Sequence, residues 1–153
     1  MKAFHEMRVR DVMDKKFISL RADTDVYEAM RLIVDNGLMG APVVEHNRLI
    51  GVFSEKDCFK VLSGWLFQMG NATGGKVSDF MTTEVVTVDA DMDLSMLTSR
   101  FLTHYYRGLP VVENDELVGL ISRGHLVGVM MREADTQSTA RYPDYKYGEG
   151  ISS

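Results

Sequence analysis

The stretch Gly40-Ala41-Pro42-Val43-Val44-Glu45-His46-Asn47-Arg48-Leu49-Ile50-Gly51-Val52-Phe53-Ser54 returns 68 residues later. There it reads Gly108-Leu109-Pro110-Val111-Val112-Glu113-Asn114-Asp115-Glu116-Leu117-Val118-Gly119-Leu120-Ile121-Ser122. Each version holds a short apolar run, a polar turn and a second apolar run. The first run, Pro-Val-Val, is too short for a helix and reads as a buried strand, as does the second. Extended outward, the same offset lays Val9–Leu62 on Val77–Met130 without a gap, and fifteen of the 54 pairs are identical. Unrelated sequences of average composition would give about three. The matches outside the quoted stretch are Val9/Val77, Asp11/Asp79, Met13/Met81, Ala22/Ala90, Asp23/Asp91, Asp25/Asp93 and Val61/Val129. The chain holds two copies of one structural unit.

Each copy opens with a piece such as Val9–Met13, followed by an extended Phe17-Ile18-Ser19-Leu20. A helix comes next. Asp25 with Glu28 spells a capping box, Val26, Ala29, Met30 and Ile33 recur at helical spacing, and Gly37 is a stop signal. Leu94, Leu97 and Phe101 repeat the pattern in the second copy. After the two strands, a closing helix starts near Ser54 and passes Phe59 and Leu62. The expected unit is β-α-β-β-α, in the α+β class. A unit of about 55–60 residues buries too little surface to stand alone, so the two pack through their sheets with pseudo-two-fold symmetry. Such packing leaves clefts between the copies, where small ligands bind. The expected divisions are a lead-in (1–8), copy one (9–62), a linker (63–76), copy two (77–131) and a polar, Tyr-rich flexible tail (132–153). Trp65 and Phe67 in the linker either extend the preceding helix onto the core or meet another subunit.

Composition narrows the function classes. The chain has 153 residues, 45% apolar and 25% charged, with net charge −5 and an isoelectric point near 5.3. Those proportions describe a globular protein, too short for a TIM barrel. The acidic balance argues against coating nucleic acid. The single cysteine, Cys58, forms neither an internal disulfide nor a metal site by itself and suits a reducing, cytoplasmic compartment. No apolar run approaches the ~20 residues that span a bilayer, and the first residues lack a signal-peptide core.

Several motifs invite a chemical reading. Gly70–Lys76 fits the G-x-x-x-x-G-K phosphate loop, but Val77 stands where Mg²⁺ needs a Ser or Thr hydroxyl, and a Gly-rich linker explains it better. His5, His46 and His104 share no metal-ligand spacing. Asp23, Asp25, Asp91 and Asp93 repeat at helix starts, where capping and dipole compensation explain them. Cys58 reads as a buried helix residue. No nucleophile–base arrangement emerges, so an enzyme is not expected and no catalytic cofactor or metal is called for. The segment Gly51-Val52-Phe53-Ser54-Glu55-Lys56-Asp57 is more informative. Ser54 and backbone N–H groups at a helix start can hold a phosphate, and a carboxylate one turn on can accept both hydroxyls of a ribose. An ordinary N-cap by Ser54 is the competing reading.

Taken together, D-x-M at the start of each copy, G-x-P-V-V in the middle and G-h-h-S at the end resemble a tandem pair of CBS (cystathionine β-synthase) domains, over about residues 9–131. The resemblance implies a non-catalytic regulatory module that binds AMP, ADP, ATP or S-adenosylmethionine between the copies. It also implies pairing into a homodimer and a role such as energy sensing for another protein. Carried over by position, Asp57 holds the ribose and Ser54 the phosphate. The adenine lies against Val86 and Thr87 on the other copy's first strand, and against Tyr106, Arg107 and Gly108 before Pro110. Arg107 reaches either a phosphate or solvent. The equivalent site departs from the pattern, because His125 replaces the carboxylate and a neutral imidazole cannot offer a diol two acceptors. That site, formed by Ser122, Arg123 and His125 with Ile18, Ser19, Leu38, Met39 and Gly40, is degenerate. The alternative reading is a dimerisation or scaffold module with vestigial pockets.

Overall fold

The computed structural model describes residues 2–67 and 74–137. After a single 3₁₀ turn at Phe4–Glu6, the elements run α1 (Val9–Val12), α2 (Val26–Asp35), β1 (Gly40–Glu45), β2 (Arg48–Ser54), α3 (Glu55–Phe67), α4 (Val77–Phe80), β3 (Val88–Asp89), α5 (Leu94–Thr103), β4 (Gly108–Glu113), β5 (Glu116–Ser122) and α6 (Arg123–Gln137). The fold is α+β, two pseudo-symmetric units joined through their strands into a five-stranded sheet of order β1-β2-β5-β4-β3.

Each hairpin is closed by the residues the turn requires. His46 and Asn47 have φ of 50° and 65°, and Asn114 and Asp115 have 52° and 65°. Two consecutive positive φ values make a type I′ turn, whose twist matches the strands. Both hairpins carry the same irregularity. Val43 faces Gly51 while Val44 faces Leu49, so Ile50 is the extra residue, and Val118 repeats it opposite Val111 and Val112. The central seam is thin. Arg48 pairs with Glu116, and the Leu117 N–H donates to the Asn47 carbonyl at 2.9 Å.

Asp25 and Asp93 cap their helices as the spacing predicts. Asp25 accepts the N–H groups of Tyr27 and Glu28, and Asp93 accepts that of Met96. Val26, Ala29, Met30 and Ile33 are buried against Val43 and Phe53. Leu94 and Leu97 are buried against Val111 and Ile121, with Phe101 packed at the edge. Gly37, at φ 61°, ends α2. The Leu38 N–H donates to Ile33 O and the Gly37 N–H to Val34 O, which forms a Schellman motif. Asp23 and Asp91 are not caps but ion partners, of Arg21 and Arg10 respectively.

Tertiary packing adds what the repeat could not specify. The opening piece of each copy packs on the other copy. Val9, Val12 and Met13 join the core of copy two, and Val77, Phe80 and Met81 join the core of copy one. Asp14 and Leu120 exchange backbone hydrogen bonds at 2.8 and 3.0 Å, as Thr82 and Val52 do at 2.9 Å each way. Gly51 and Gly119 permit this approach, since a Cβ on either would lie 2.9 Å from the carbonyl oxygen of Thr82 or Asp14. The cause is economy of burial: each opening turn covers the open end of its neighbour's hydrophobic core, which neither unit could close alone. The first strand of each copy is also short. Val88–Asp89 pairs with Val111 and Val112, whereas in copy one only Leu20 bridges Val43.

Residues 63–67, read as linker, continue α3, and Trp65 packs on the core while stacking on Tyr27 at 6.0 Å. Phe67 stays exposed. Residues 132–137, read as tail, continue α6, tied by Gln137 Nε2 to Glu133 Oε1 at 2.7 Å. Residues 68–73, with most of the Gly70–Lys76 motif, and the rest of the tail lie outside the described residues. Lys76 itself forms an isolated backbone bridge with Asp25 and opens α4.

Candidate functional site

The site forms where each hairpin ends and the next helix begins. Ser54 is the last residue of β2, and α3 starts one residue on. The Glu55 N–H donates to the Met39 carbonyl at 3.0 Å, which anchors the first turn of α3 to the chain entering β1. Copy two repeats the contact, Arg123 N–H to the Arg107 carbonyl at 2.8 Å. Gly40 lets β1 start close to this corner, since a Cβ there would lie 3.1 Å from Phe53 O and 3.2 Å from Ser54 Cα.

Asp57 is 1% exposed, the one fully buried charged residue among those described. Its Oδ2 accepts the Ser54 N–H at 2.9 Å and the Ser54 Oγ–H at 3.1 Å, while its Oδ1 accepts Lys60 Nζ at 3.1 Å. The Asp57 N–H points back to Ser54 Oγ at 3.4 Å. Ser54 and Asp57 therefore form a reciprocal cap on α3, the competing reading of these two residues. A buried carboxylate survives only when paired and hydrogen-bonded, and this one is both. Cys58, beside it, has its thiol pushed up, first by burial and then by the Asp57 charge, so it is a packed side chain rather than a nucleophile.

The second copy builds the same corner without the carboxylate. The His125 N–H donates to Ser122 Oγ at 3.1 Å, and Arg123 and His125 are exposed. Met39 and Arg107, which occupy equivalent positions, meet across the pseudo-two-fold axis, Arg107 Nη1 lying 3.6 Å from Met39 Sδ. Arg107 thus reaches from the corner of α6 toward the corner of α3, and it is exposed. Tyr106 is half-buried on the copy-two core and stacks on His104 at 5.4 Å. Pro110 is buried and Gly108 exposed at the start of β4. Ile18 and Leu38 are half-buried, and Ser19 and Met39 are exposed. Val86 and Thr87, expected on a strand, lie in the extended chain just before β3, because only Val88 and Asp89 align with β4.

A cleft of about 460 Å³ runs along the seam, lined by Arg48, Leu49, Gly51, Thr83, Val85, Thr87, Val112 and Asp115 among others. Of the expected contact residues it includes Thr87 and neither Ser54 nor Asp57. Lys60 is the residue that the sequence reading missed. A lysine three positions after an aspartate on one helix face was the available signal. Among the described residues no group of three or more His, Cys, Asp or Glu could hold a metal ion, and no helix is long and apolar enough to cross a membrane.

The fold and the paired corners define a tandem-repeat module with pseudo-two-fold related helix starts. The CBS domain family model matches residues 9–64 and 77–132, and the chain belongs to that family. It is 27% identical to the CBS domain-containing protein YhcV of Bacillus subtilis, over 77% of this chain and 81% of that protein. Among solved structures, CBSX2 in complex with AMP superposes with a TM-score of 0.71 at 27% identity, covering 82% of this chain and 96% of that one. The CBS domain pair of MJ0100, solved with 5′-methylthioadenosine and S-adenosyl-L-methionine, shares the fold at a TM-score of 0.68 and 20% identity, covering 83% and 98%. Curated relatives differ in length: the chain spans 92% of one and 39% of another.

Proposed function

We propose that this chain is a regulatory module that binds an adenosine-containing ligand with its ribose at Asp57. The observation that carries this is the buried Asp57 carboxylate, held beside Ser54 in the first turn of α3, which is itself anchored to Met39, the residue that Arg107 of the other copy meets. The AMP complex of CBSX2 supports the ligand class. Ser54 and the first N–H groups of α3 take the phosphate, and the backbone of Val86, Thr87, Tyr106, Arg107 and Gly108 before Pro110 borders the base. The corner of Ser122, Arg123 and His125, with Ile18, Ser19, Leu38, Met39 and Gly40, lacks the carboxylate and binds no nucleoside tightly. The module acts on another protein rather than on a substrate, since a ligand bridging both copies shifts only equilibria to which it binds differentially.

Isothermal calorimetry with AMP, ADP, ATP, S-adenosylmethionine and 5′-methylthioadenosine tests this. At least one should bind below millimolar, and Asp57→Ala should weaken it by tenfold or more. No response from any, or normal binding by Asp57→Ala, refutes the reading.

A second reading, a homodimer or scaffold acting through protein contacts, is favoured by one observation. Phe59, Leu66 and Phe67 on α3 are 70–80% exposed, and Val127 and Met131 on α6 are 50% and 60% exposed. Large apolar side chains left exposed along a helix in this way mark interaction surfaces. Sedimentation equilibrium without nucleotide separates the two: a stable dimer that ignores every adenosyl ligand supports the scaffold.

A further inference from the structure

Resting on the ribose assignment above, we propose that Lys60 is a built-in competitor for the Asp57 carboxylate, so that binding of a nucleoside without a phosphate must release this lysine. A carboxylate offers four lone-pair positions, two on each oxygen. Both positions on Oδ2 are taken within the helix cap, by the Ser54 N–H at 2.9 Å and the Ser54 hydroxyl at 3.1 Å. On Oδ1, Lys60 Nζ takes one at 3.1 Å. One position remains, and a ribose brings two hydroxyl donors. The backbone N–H of Ser54 cannot leave without opening the start of α3, and with no phosphate to engage it the Ser54 hydroxyl, which also accepts the Asp57 N–H at 3.4 Å, stays in the cap. The Lys60 side chain can, being 60% exposed against 1% for Asp57. Lys60 is therefore the donor that a diol displaces. It closes the carboxylate while the site is empty, which also spares Asp57 an unpaired buried charge. Release of the ammonium into solvent is then coupled to occupancy. Copy two has no such device, with Gly128 at the position of Lys60 and His125 at that of Asp57.

The test compares the wild type with Lys60→Met and Lys56→Met by calorimetry. The probes are adenosine and 5′-methylthioadenosine, which carry no phosphate, together with AMP. Lys56, exposed one turn earlier on α3, controls for loss of one positive charge. Lys60→Met should bind the phosphate-free probes three- to tenfold more tightly than wild type, and Lys56→Met should match wild type. Equal or weaker binding by Lys60→Met, with the wild type binding, overturns the competitor role and leaves the ribose assignment standing. A readout without ligand guards against a variant that folds poorly. In a thermal-unfolding cycle of Lys60→Met, Asp57→Asn and the double variant, the two single effects should be non-additive, and strict additivity shows that the pair does not form and overturns the proposal. Absence of binding by every variant and by the wild type, with the cycle still non-additive, refutes the ribose assignment and the competition with it.

Discussion

Replacing Gly119 by alanine tests the exchange of opening segments directly. The added Cβ would lie 2.6 Å from Met13 Sδ, 2.9 Å from Met13 Cγ and 2.9 Å from the Asp14 carbonyl oxygen. Heavy atoms of this kind rest at about 3.5–4.0 Å. The thioether can rotate aside. The carbonyl cannot move freely, because Asp14 and Leu120 exchange hydrogen bonds at 2.8 and 3.0 Å one residue away. Overpacking of this sort costs about 1–3 kcal/mol, and relief of glycine's backbone entropy returns about 0.5–1 kcal/mol. A net loss of about 1.2 kcal/mol lowers Tm by about 2–5 °C for a chain of this size. Gly51→Ala should behave alike, since its Cβ would lie 2.7 Å from Met81 Sδ and 2.9 Å from Thr82 O. Gly64→Ala is the control with opposite sign: Gly64 sits inside α3 with nothing within 4 Å of its Cβ. It should gain about 0.5–1 kcal/mol. Scanning calorimetry of the three variants decides. A Tm for Gly119→Ala at or above wild type would show that residues 13 and 14 do not lie against β5, and the exchanged arrangement would fall.

Other outcomes follow from single features. Gly37→Ala places a Cβ at φ 61° and should cost about 1–2 kcal/mol, read as a lower urea midpoint; an unchanged midpoint would mean that α2 ends differently. The carboxyl of Asp11 is held below its ordinary range, first by the Arg8 N–H that it accepts and then by Lys2. Its folded value thus lies under its unfolded one, so its contribution is complete above about pH 4 and is lost as pH falls through the folded value. Urea titrations from pH 5 to 2 should show a shallower loss of stability for Asp11→Asn, and identical slopes would refute the assignment. Cys58 should react with a disulfide reagent at pH 8 far more slowly in the native chain than in urea. Equal rates would place it at the surface.

The residues that build local structure were legible because their reasons are local. Asp25 and Asp93 cap because their side chains reach N–H groups two or three residues on. His46-Asn47 and Asn114-Asp115 turn the hairpins because these short polar residues tolerate positive φ. The burial of Val26, Ala29, Met30 and Ile33 follows from helical period alone. Ser54 and Asp57 stood out as a pair because they are one turn apart on a helix start, and that same spacing makes them a cap. What lay hidden depends on distance along the chain. Val9 and Val77 occupy identical places in the repeat, so nothing in their neighbours says which copy's core each enters. Only the packed molecule decides that they cross. The Met39–Arg107 contact spans 68 residues. By itself the sequence determined a doubled unit, its strands, caps and turns, because those depend on near neighbours and on period. The tertiary structure decided the exchange of opening segments, the thin seam and the Met39–Arg107 contact, because burial and pairing depend on which surfaces meet.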